Sequence, residues 1–408
     1  MSEWQEYTLG DIVDIKHGYA FKGEFFSETP TTDILVTPGN FKIGGGFKSD
    51  KLKYYNGEIP DGFVLSHEDI IVTMTDLSKQ ADTLGYSAKV PIDSSKVFLH
   101  NQRIGLLIFK DKSFDKDFIY WLMRAEHYQK FVAGSATGAT VKHSSPSRIR
   151  AFKFKAPTSN SLRKKIAKIL SNYDDLIENN LKRIKLLEES ARLTYEEWFL
   201  RFRIDGKKLD IDPDTGLPFG WEKVKLKSFC ILTMGQSPKS KFYNQTCEGL
   251  PFHQGVTNYG FRFPSNTTWS TEGSRISEEG DILFSVRAPV GRLNVSIEKI
   301  ILGRGLASIR QINDLNSFLF YQLQNIFFED NLMGSGAIFD SVTKRDVEDI
   351  ELIYSKNISE KFNTLTSTID NEIKNLTNQN KFLKEARDIL LPRLMTGMID
   401  TDNMDIAV

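Results

Sequence analysis

The chain has 408 residues and is 40% hydrophobic, enough for two or three folded domains with their own cores. Its 53 basic residues equal its 53 acidic ones, which excludes a strongly basic, indiscriminate nucleic-acid coat. No apolar run is long enough to cross a membrane, the start Met1-Ser2-Glu3-Trp4 lacks the segments of a signal peptide, and two cysteines, Cys230 and Cys247, make no disulfide framework. A soluble cytoplasmic protein with reduced thiols is expected.

Residues 1–157 alternate short apolar runs with Gly, Pro, Asn and Asp, as in Ile34-Leu35-Val36 before Thr37-Pro38-Gly39-Asn40, and read as strands and loops. One helix is expected from Phe114 to Phe131, where Phe118, Trp121, Leu122, Ala125 and Tyr128 recur at helical spacing. Near the end of this block, Lys142, His143, Arg148, Arg150, Lys153 and Lys155 form a strip with no acidic residue. It suits either a solvated strand edge or a phosphate-binding surface.

Residues 158–206 change texture. Ile166, Ile169, Leu170, Tyr173, Leu176, Ile177, Leu181, Ile184, Leu187 and Ala191 recur in threes and fours, a coiled-coil seam on a rod about 60 Å long. A second mixed block occupies 207–357, with its helix near Leu315 to Asn331. A second, more polar stripe over 358–399 runs through Phe362, Leu365, Ile369, Ile373, Leu376, Leu383 and Leu390, with Gln379 or Asn380 near its seam and Pro392 expected to stop it. Residues 400–408, with Asp400, Asp402 and Asp405, read as a flexible acidic tail. Each stripe alone would leave an apolar strip in water, so the two are expected to bury one another.

The two halves say the same thing in the same order. Trp4, Leu9 and Gly18 meet Trp221, Leu226 and Gly235 at one constant spacing, and Asp69-Ile70-Ile71-Val72-Thr73 aligns with Asp281-Ile282-Leu283-Phe284-Ser285. Arg103 aligns with Arg304, Phe118-Ile119-Tyr120 with Phe318-Leu319-Phe320, and Gly134-Ser135-Ala136-Thr137-Gly138-Ala139 with Gly334-Ser335-Gly336-Ala337. The predicted architecture is therefore α+β, with two similar domains in a pseudo-twofold arrangement separated by a long antiparallel coiled-coil helix pair. Such symmetry leaves two equivalent faces for two copies of a partner.

No phosphate loop, dinucleotide fingerprint, zinc motif or aminomethyltransferase signature is present, and the six histidines are scattered, so no catalysis and no metal are expected of this chain. The loops instead offer groups suited to DNA. In the first block these are Lys16, Tyr19, Lys22, Asn40, Lys42, Asn101, Gln102, Arg103, Lys142 and Arg148. In the second they are Gln236, Lys239, Asn258, Tyr259, Arg262, Arg287, Arg292 and Arg304. Arginine matches guanine O6 and N7, asparagine and glutamine match adenine, and lysine matches phosphate. Ordinary surface loops carry the same residues, so a non-catalytic two-domain scaffold binding protein partners across a helical spacer stays open.

The block openings Trp4-Gln5-Glu6-Tyr7-Thr8-Leu9-Gly10-Asp11 and Gly216-Leu217-Pro218-Phe219-Gly220-Trp221-Glu222, the helix end Glu197-Trp198-Phe199-Leu200-Arg201-Phe202 and the closing Leu390-Leu391-Pro392-Arg393-Leu394-Met395 resemble the specificity subunit of Type I restriction-modification systems. The resemblance covers nearly the whole chain. It implies that each block is a target recognition domain reading one half of a two-part double-stranded DNA sequence, and that the helices set the gap between halves. Two modification subunits would dock on the helices and supply S-adenosylmethionine and the adenine-methylating site. Restriction subunits would add an endonuclease dependent on ATP and Mg2+. The resemblance does not fix which side chains touch bases. The Glu-Trp-Phe ending at 197–199 has no counterpart in the second half, where a Leu-Pro-Arg-Leu segment stands instead.

Overall fold

The computed structural model describes residues 3–76, 78, 80–138, 141–328 and 341–401. The aligned tract Gly334–Ala337, its match Ala139, and the tail aspartates Asp402 and Asp405 lie outside the described residues. The chain divides into two compact units, Met1–Asn179 with Gln379–Val408, and Asn180–Asn378. The segments 158–206 and 358–399, read as separate spacers from sequence, each contribute to both units.

In the first unit a four-stranded antiparallel sheet runs in the order Val13–His17, Ile104–Phe109, Ile70–Thr73, Ser87–Lys89. Beside it lies a five-stranded sheet, in which Asp33–Val36 and Val97–His100 pair in parallel. The strand Ile70–Thr73 is buried along its whole length, as a run of β-branched residues between two layers should be. Successive side chains point to opposite faces. Ile70 and Val72 therefore join the core made with the helices Lys116–Leu122 and Glu126–Gly134, while Ile71 joins Ile34, Phe98 and Ile104 between the sheets.

The second unit repeats this plan. Its four-stranded sheet follows Cys230–Met234, Leu306–Gln311, Ile282–Ser285, Leu293–Val295, and its five-stranded sheet again holds one parallel pair, Leu250–His253 with Ile300–Leu302. Ile282 and Phe284 face the helical core and Leu283 faces the other sheet. In each unit an aspartate caps the turn before this buried strand: Asp69 accepts from the Ser66 N–H at 2.8 Å and Asp281 from the Glu278 N–H at 2.9 Å.

The long helices are Asn160–Tyr195, continued by a π turn over Glu196–Leu200, and Lys356–Met395. They run antiparallel within each unit. In the first, Asp174 pairs with Arg387, and Ile166 and Leu170 share a core with Leu391 and Leu394. In the second, Arg183 meets Glu372 at 2.7 Å, Ile184 packs with Ile373 and Leu376, and Tyr195 stacks edge-on against Phe362. The buried positions follow a strict alternation of four and three on both helices: Ile166, Leu170, Tyr173, Ile177, Asn180, Ile184, Leu187, and Phe362, Thr366, Ile369, Ile373, Leu376, Asn380, Leu383. Tyr173, Leu187, Ile369 and Leu383 are half-buried and the other seam residues more deeply so.

Several expectations are corrected. Leu176 is 52% exposed, because it precedes the seam residue Ile177 by one position and so points about 100° away from it. Leu181 and Leu365 face solvent for the same reason, and of the two polar candidates Asn380 is buried while Gln379 is exposed. The helix continues through Pro392 to Met395. Proline forfeits one backbone hydrogen bond there, while Leu391, Leu394 and Met395 are buried in the first core. The helix expected from Phe114 to Phe131 is two helices, broken at Met123, Arg124 and Ala125.

The Glu-Trp-Phe ending does have a counterpart. Trp198 and Phe199 close the second core, with Phe199 against Trp221 at 5.3 Å, while Leu394 and Met395 close the first, where Gly397 lies against Trp4.

Candidate nucleic-acid interface

In each unit the two sheets are joined by a tight turn, and the exposed polar loops converge there. In the first unit this turn is Asn101-Gln102-Arg103, between Val97–His100 and Ile104–Phe109. The Tyr19 N–H donates to His100 O at 2.8 Å, the Met74 N–H to Arg103 O at 3.1 Å, and the Ile104 N–H to Asn101 O at 2.9 Å. The second unit reproduces all three: Gln236 N–H to Leu302 O at 2.9 Å, Val286 N–H to Gly305 O at 2.9 Å, and Leu306 N–H to Gly303 O at 3.0 Å. Both turns press on a glycine. A Cβ on Gly18 would lie 2.1 Å from Asn101 O, and one on Gly235 would lie 2.1 Å from Gly303 O, so no other residue fits either place.

This backbone pattern corrects the alignment of Arg103 with Arg304. Arg103 shares its address with Gly305, and Arg304 shares its address with Gln102. Identity had drawn the two arginines together across a turn whose hydrogen bonds place them one residue apart.

Around the first turn, His17, Thr75, Gln102, Arg103, His143 and Ser144 line a groove of about 300 Å3. Thr75 Oγ and His143 Nδ1 lie 3.1 Å apart. Tyr19 is exposed and packs on Phe21 and Phe63, while Lys16 donates to Gly62 O at 2.7 Å over the Phe63 ring. In the second unit Ser237 receives the Arg304 N–H at 3.1 Å and donates to Gln254 Oε1 at 2.7 Å. A groove of about 640 Å3 opens beside it, lined by Gln236, Ser237, Lys239, Phe242, Thr271 and Gly273. Arg287 and Arg292 are exposed nearby in the chain, with Arg287 bridged to Ser341 as Thr75 is paired with His143. Thr75 and Gln254 were not singled out from sequence alone. Neither lies near Gly18 or Gly235 in the chain, so the sequence carries no local signal for them.

Other residues proposed from sequence are engaged in the fold. Asn40 is fully buried: its Oδ1 accepts the Thr37 N–H at 2.9 Å and its amide donates to Lys48 O and Lys51 O, so it builds the loop. Arg148 is half-buried and donates to Ser135 O at 2.8 Å, and the Asn258 amide donates to Thr267 Oγ at 2.6 Å. Tyr259 has its hydroxyl buried, which raises its pKa. The basic strip is partly neutralised, since Arg150 pairs with Asp14 at 2.9 Å and Lys153 lies 3.8 Å from Glu6. Lys22, Lys42, Asn101, Lys142 and Lys239 keep at least partial exposure. Lys42 stands away from the turn, and burial, with Arg124 and Lys384 beside it, lowers its pKa despite Asp174.

Arg262 is the clearest correction. It is 3% exposed, lies 3.4 Å over the Phe320 ring, and donates to Asp370 Oδ1 at 2.5 Å, with Glu188 at 3.7 Å. The first unit has the same device: Arg124 lies 4.2 Å over Trp121 and donates to Asp174 Oδ2 at 2.6 Å and to Gly44 O at 2.9 Å. Burial works against the Asp174 carboxylate, but Arg124 and Arg387 outweigh it and hold its pKa below the ordinary range. Both aspartates sit at the same register of their long helices, so each arginine clamps a recognition-sheet loop to a helix. The first guanidinium comes from a helix end and the second from the loop itself.

Comparison with known proteins agrees with the doubled plan. The sequence profile described as the Type I restriction modification DNA specificity domain matches residues 1–189 and again 218–380. Among curated proteins, the chain is 30% identical over 312 residues to the putative type I restriction enzyme MjaX specificity subunit of Methanocaldococcus jannaschii, covering 74% of this chain and 72% of that one. It is 23% identical to the type I restriction enzyme MjaIX specificity subunit of the same organism, covering 95% and 100%. Among solved structures, the S subunit of a Type I restriction-modification system from M. genitalium superposes with a TM-score of 0.59 at 17% identity, over 97% of this chain and 96% of that one. No helix among the described residues is long and apolar enough to cross a membrane.

Proposed function

Because the chain belongs to the Type I restriction modification DNA specificity family, we propose that its two units read the two halves of a bipartite double-stranded DNA target. The observation that carries this reading is the pair of inter-sheet turns, which share three matching backbone hydrogen bonds yet present different exposed polar side chains, Gln102 in one unit and Arg304 in the other. A fold that keeps the scaffold and changes the tip is what two readers of different sequence require.

The long helices serve as the spacer between half-sites and as the docking surface for two modification subunits. Leu186 and Phe382 lie at the same distance along the chain from Asp174 and Asp370, as do Leu193 and Ile389, and all four are exposed off the seam. A repeated apolar pair on each helix suits two copies of one partner. Those partners supply S-adenosylmethionine and methylate adenine, and restriction subunits supply the cleavage that depends on ATP and Mg2+. This chain supplies recognition and scaffolding without catalysis of its own.

The test is an exchange of residues 1–157 for the corresponding block of another specificity subunit, followed by methylome sequencing of cells that also carry the modification subunit. One half of the methylated motif should change and the other persist. An unaltered motif refutes the assignment.

A further inference from the structure

Building on the DNA-reading role just proposed, we propose a division of labour at the inter-sheet turns: Gln102 and Arg304 each select a base in one half-site, while Lys22 and Lys239 hold phosphate in both. The molecule contains its own control for this reading, because two units of one plan share some addresses in identity and differ at others.

The identical addresses separate into two kinds. Gly18 and Gly235 are demanded by the fold, since any Cβ would overlap a backbone oxygen. Lys22 and Lys239 are not. Each directly precedes a short 3-10 turn, Gly23–Phe25 or Ser240–Phe242, with the same extended backbone. Both are exposed; the Lys22 side chain has only the exposed Glu24 at 3.7 Å, and the Lys239 side chain has no ion-pair or hydrogen-bond partner among the described residues. A solvated pair of that kind contributes little to stability. A lysine kept at one exposed address in both units, with no packing role, fits the part of a DNA target that is the same in both halves, the phosphate backbone.

The differing address is the turn tip. Gln102 and Arg304 are exposed, and neither side chain has a partner among the described residues. Their backbones are pinned: the Gln102 N–H donates to Tyr19 O at 2.8 Å, and the Arg304 N–H to Ser237 Oγ. A fixed backbone carrying an unengaged fork is the arrangement for bidentate readout, glutamine to adenine N6 and N7, arginine to guanine O6 and N7. The residues around the tips differ as well, Thr75 and His143 in one unit against Arg287 and Ser341 in the other, at matching pairs.

The experiment uses the full chain assembled with its modification subunit. Arg304→Gln should change or relax one base pair in one half of the methylated motif, with discrimination there falling roughly 5- to 150-fold. Gln102→Arg should do so in the other half. Lys22→Ala and Lys239→Ala should leave the motif intact, weaken DNA binding for all sequences alike, and each reduce the salt-dependence slope by about 1. Arg304→Ala, which adds nothing new to the surface, gives the same reading if Arg304→Gln fails to assemble. A wild-type motif retained by the tip variants overturns this assignment alone, as does a uniform loss of affinity from them. A wild-type complex with no bipartite motif overturns the DNA-reading role itself.

Discussion

Replacing Arg262 by methionine tests whether this buried guanidinium holds the second unit together or reads DNA. Its Nη2 lies 2.5 Å from Asp370 and its plane 3.4 Å over Phe320, with 3% of the residue exposed. Removing one partner of a buried pair costs about 3–5 kcal/mol, because the remaining charge stays desolvated. Asp370 is 21% exposed and retains the Ser317 and Tyr321 hydroxyls at 2.6 and 3.0 Å, which places the loss at the lower end, about 3 kcal/mol. For a body of this size that lowers the melting temperature by roughly 6–12 °C. Methionine fills the space over the ring, so the loss reports the charge and its hydrogen bonds rather than a cavity. Adding Asp370→Asn should recover most of it, leaving Arg262→Met/Asp370→Asn within about 1 kcal/mol of wild type. Thermal unfolding of the full chain, followed by circular dichroism beside a DNA-binding titration of the assembled complex, distinguishes the roles. Unchanged melting with lost DNA binding would refute the structural role and return Arg262 to the recognition surface.

Ile177→Glu should destabilise the chain by about 3 kcal/mol or more by burying a charge in the seam, whereas Leu176→Glu, one residue earlier but half exposed, should change it by less than about 1 kcal/mol; equal effects in a denaturant titration would contradict the heptad register. Burial raises the Glu188 pKa to about 7, against Arg262 and with Asp370 adding to the rise. An acid whose folded pKa is raised keeps its proton in the fold while the unfolded chain loses it, so stability falls as pH rises from about 4.5 to 7 and stays lowered above that. Glu188→Gln should therefore stabilise the protein at pH 8 by about 1–3 kcal/mol and match wild type near pH 4. A variant less stable than wild type at pH 8 would show that Glu188 works as a charged partner of Arg262.

The doubling was legible in sequence where the same residues perform the same buried task. Asp69 and Asp281 cap the same turn, and Phe118 and Phe318 fill the same core position, so identity and geometry coincide. It was misread where identity and geometry part. Arg103 and Arg304 look alike but differ by one address, because the turn between the sheets is set by backbone hydrogen bonds that no side chain announces. Arg124 and Arg262 look unrelated and do the same work, since a slot can be filled from any point of the chain that passes it. The helical stripe was visible as a period, but with apolar residues also on the solvent side, Leu176, Leu181 and Leu365 could not be told from seam residues by spacing alone. Asn40 carried the chemistry of a base reader and was claimed by its own loop, as an asparagine near a turn often is.

The guanidinium slot sets a rule for rebuilding such a chain. The loop around residue 262 brings its own cation, whereas the loop around residue 44 brings only a carbonyl and relies on a helix for the charge. The position in the second unit that is in register with Arg124 is Gln324. Grafting the first loop into the second unit would thus strand Asp370 without a counter-ion, and the reverse graft would press a third guanidinium group against Asp174, beside Arg124 and Arg387. The smallest piece that can be transplanted safely is therefore an entire recognition block, loop together with the helix beneath it, and new specificities made by trading single loops should fail through lost stability before they fail through lost contacts.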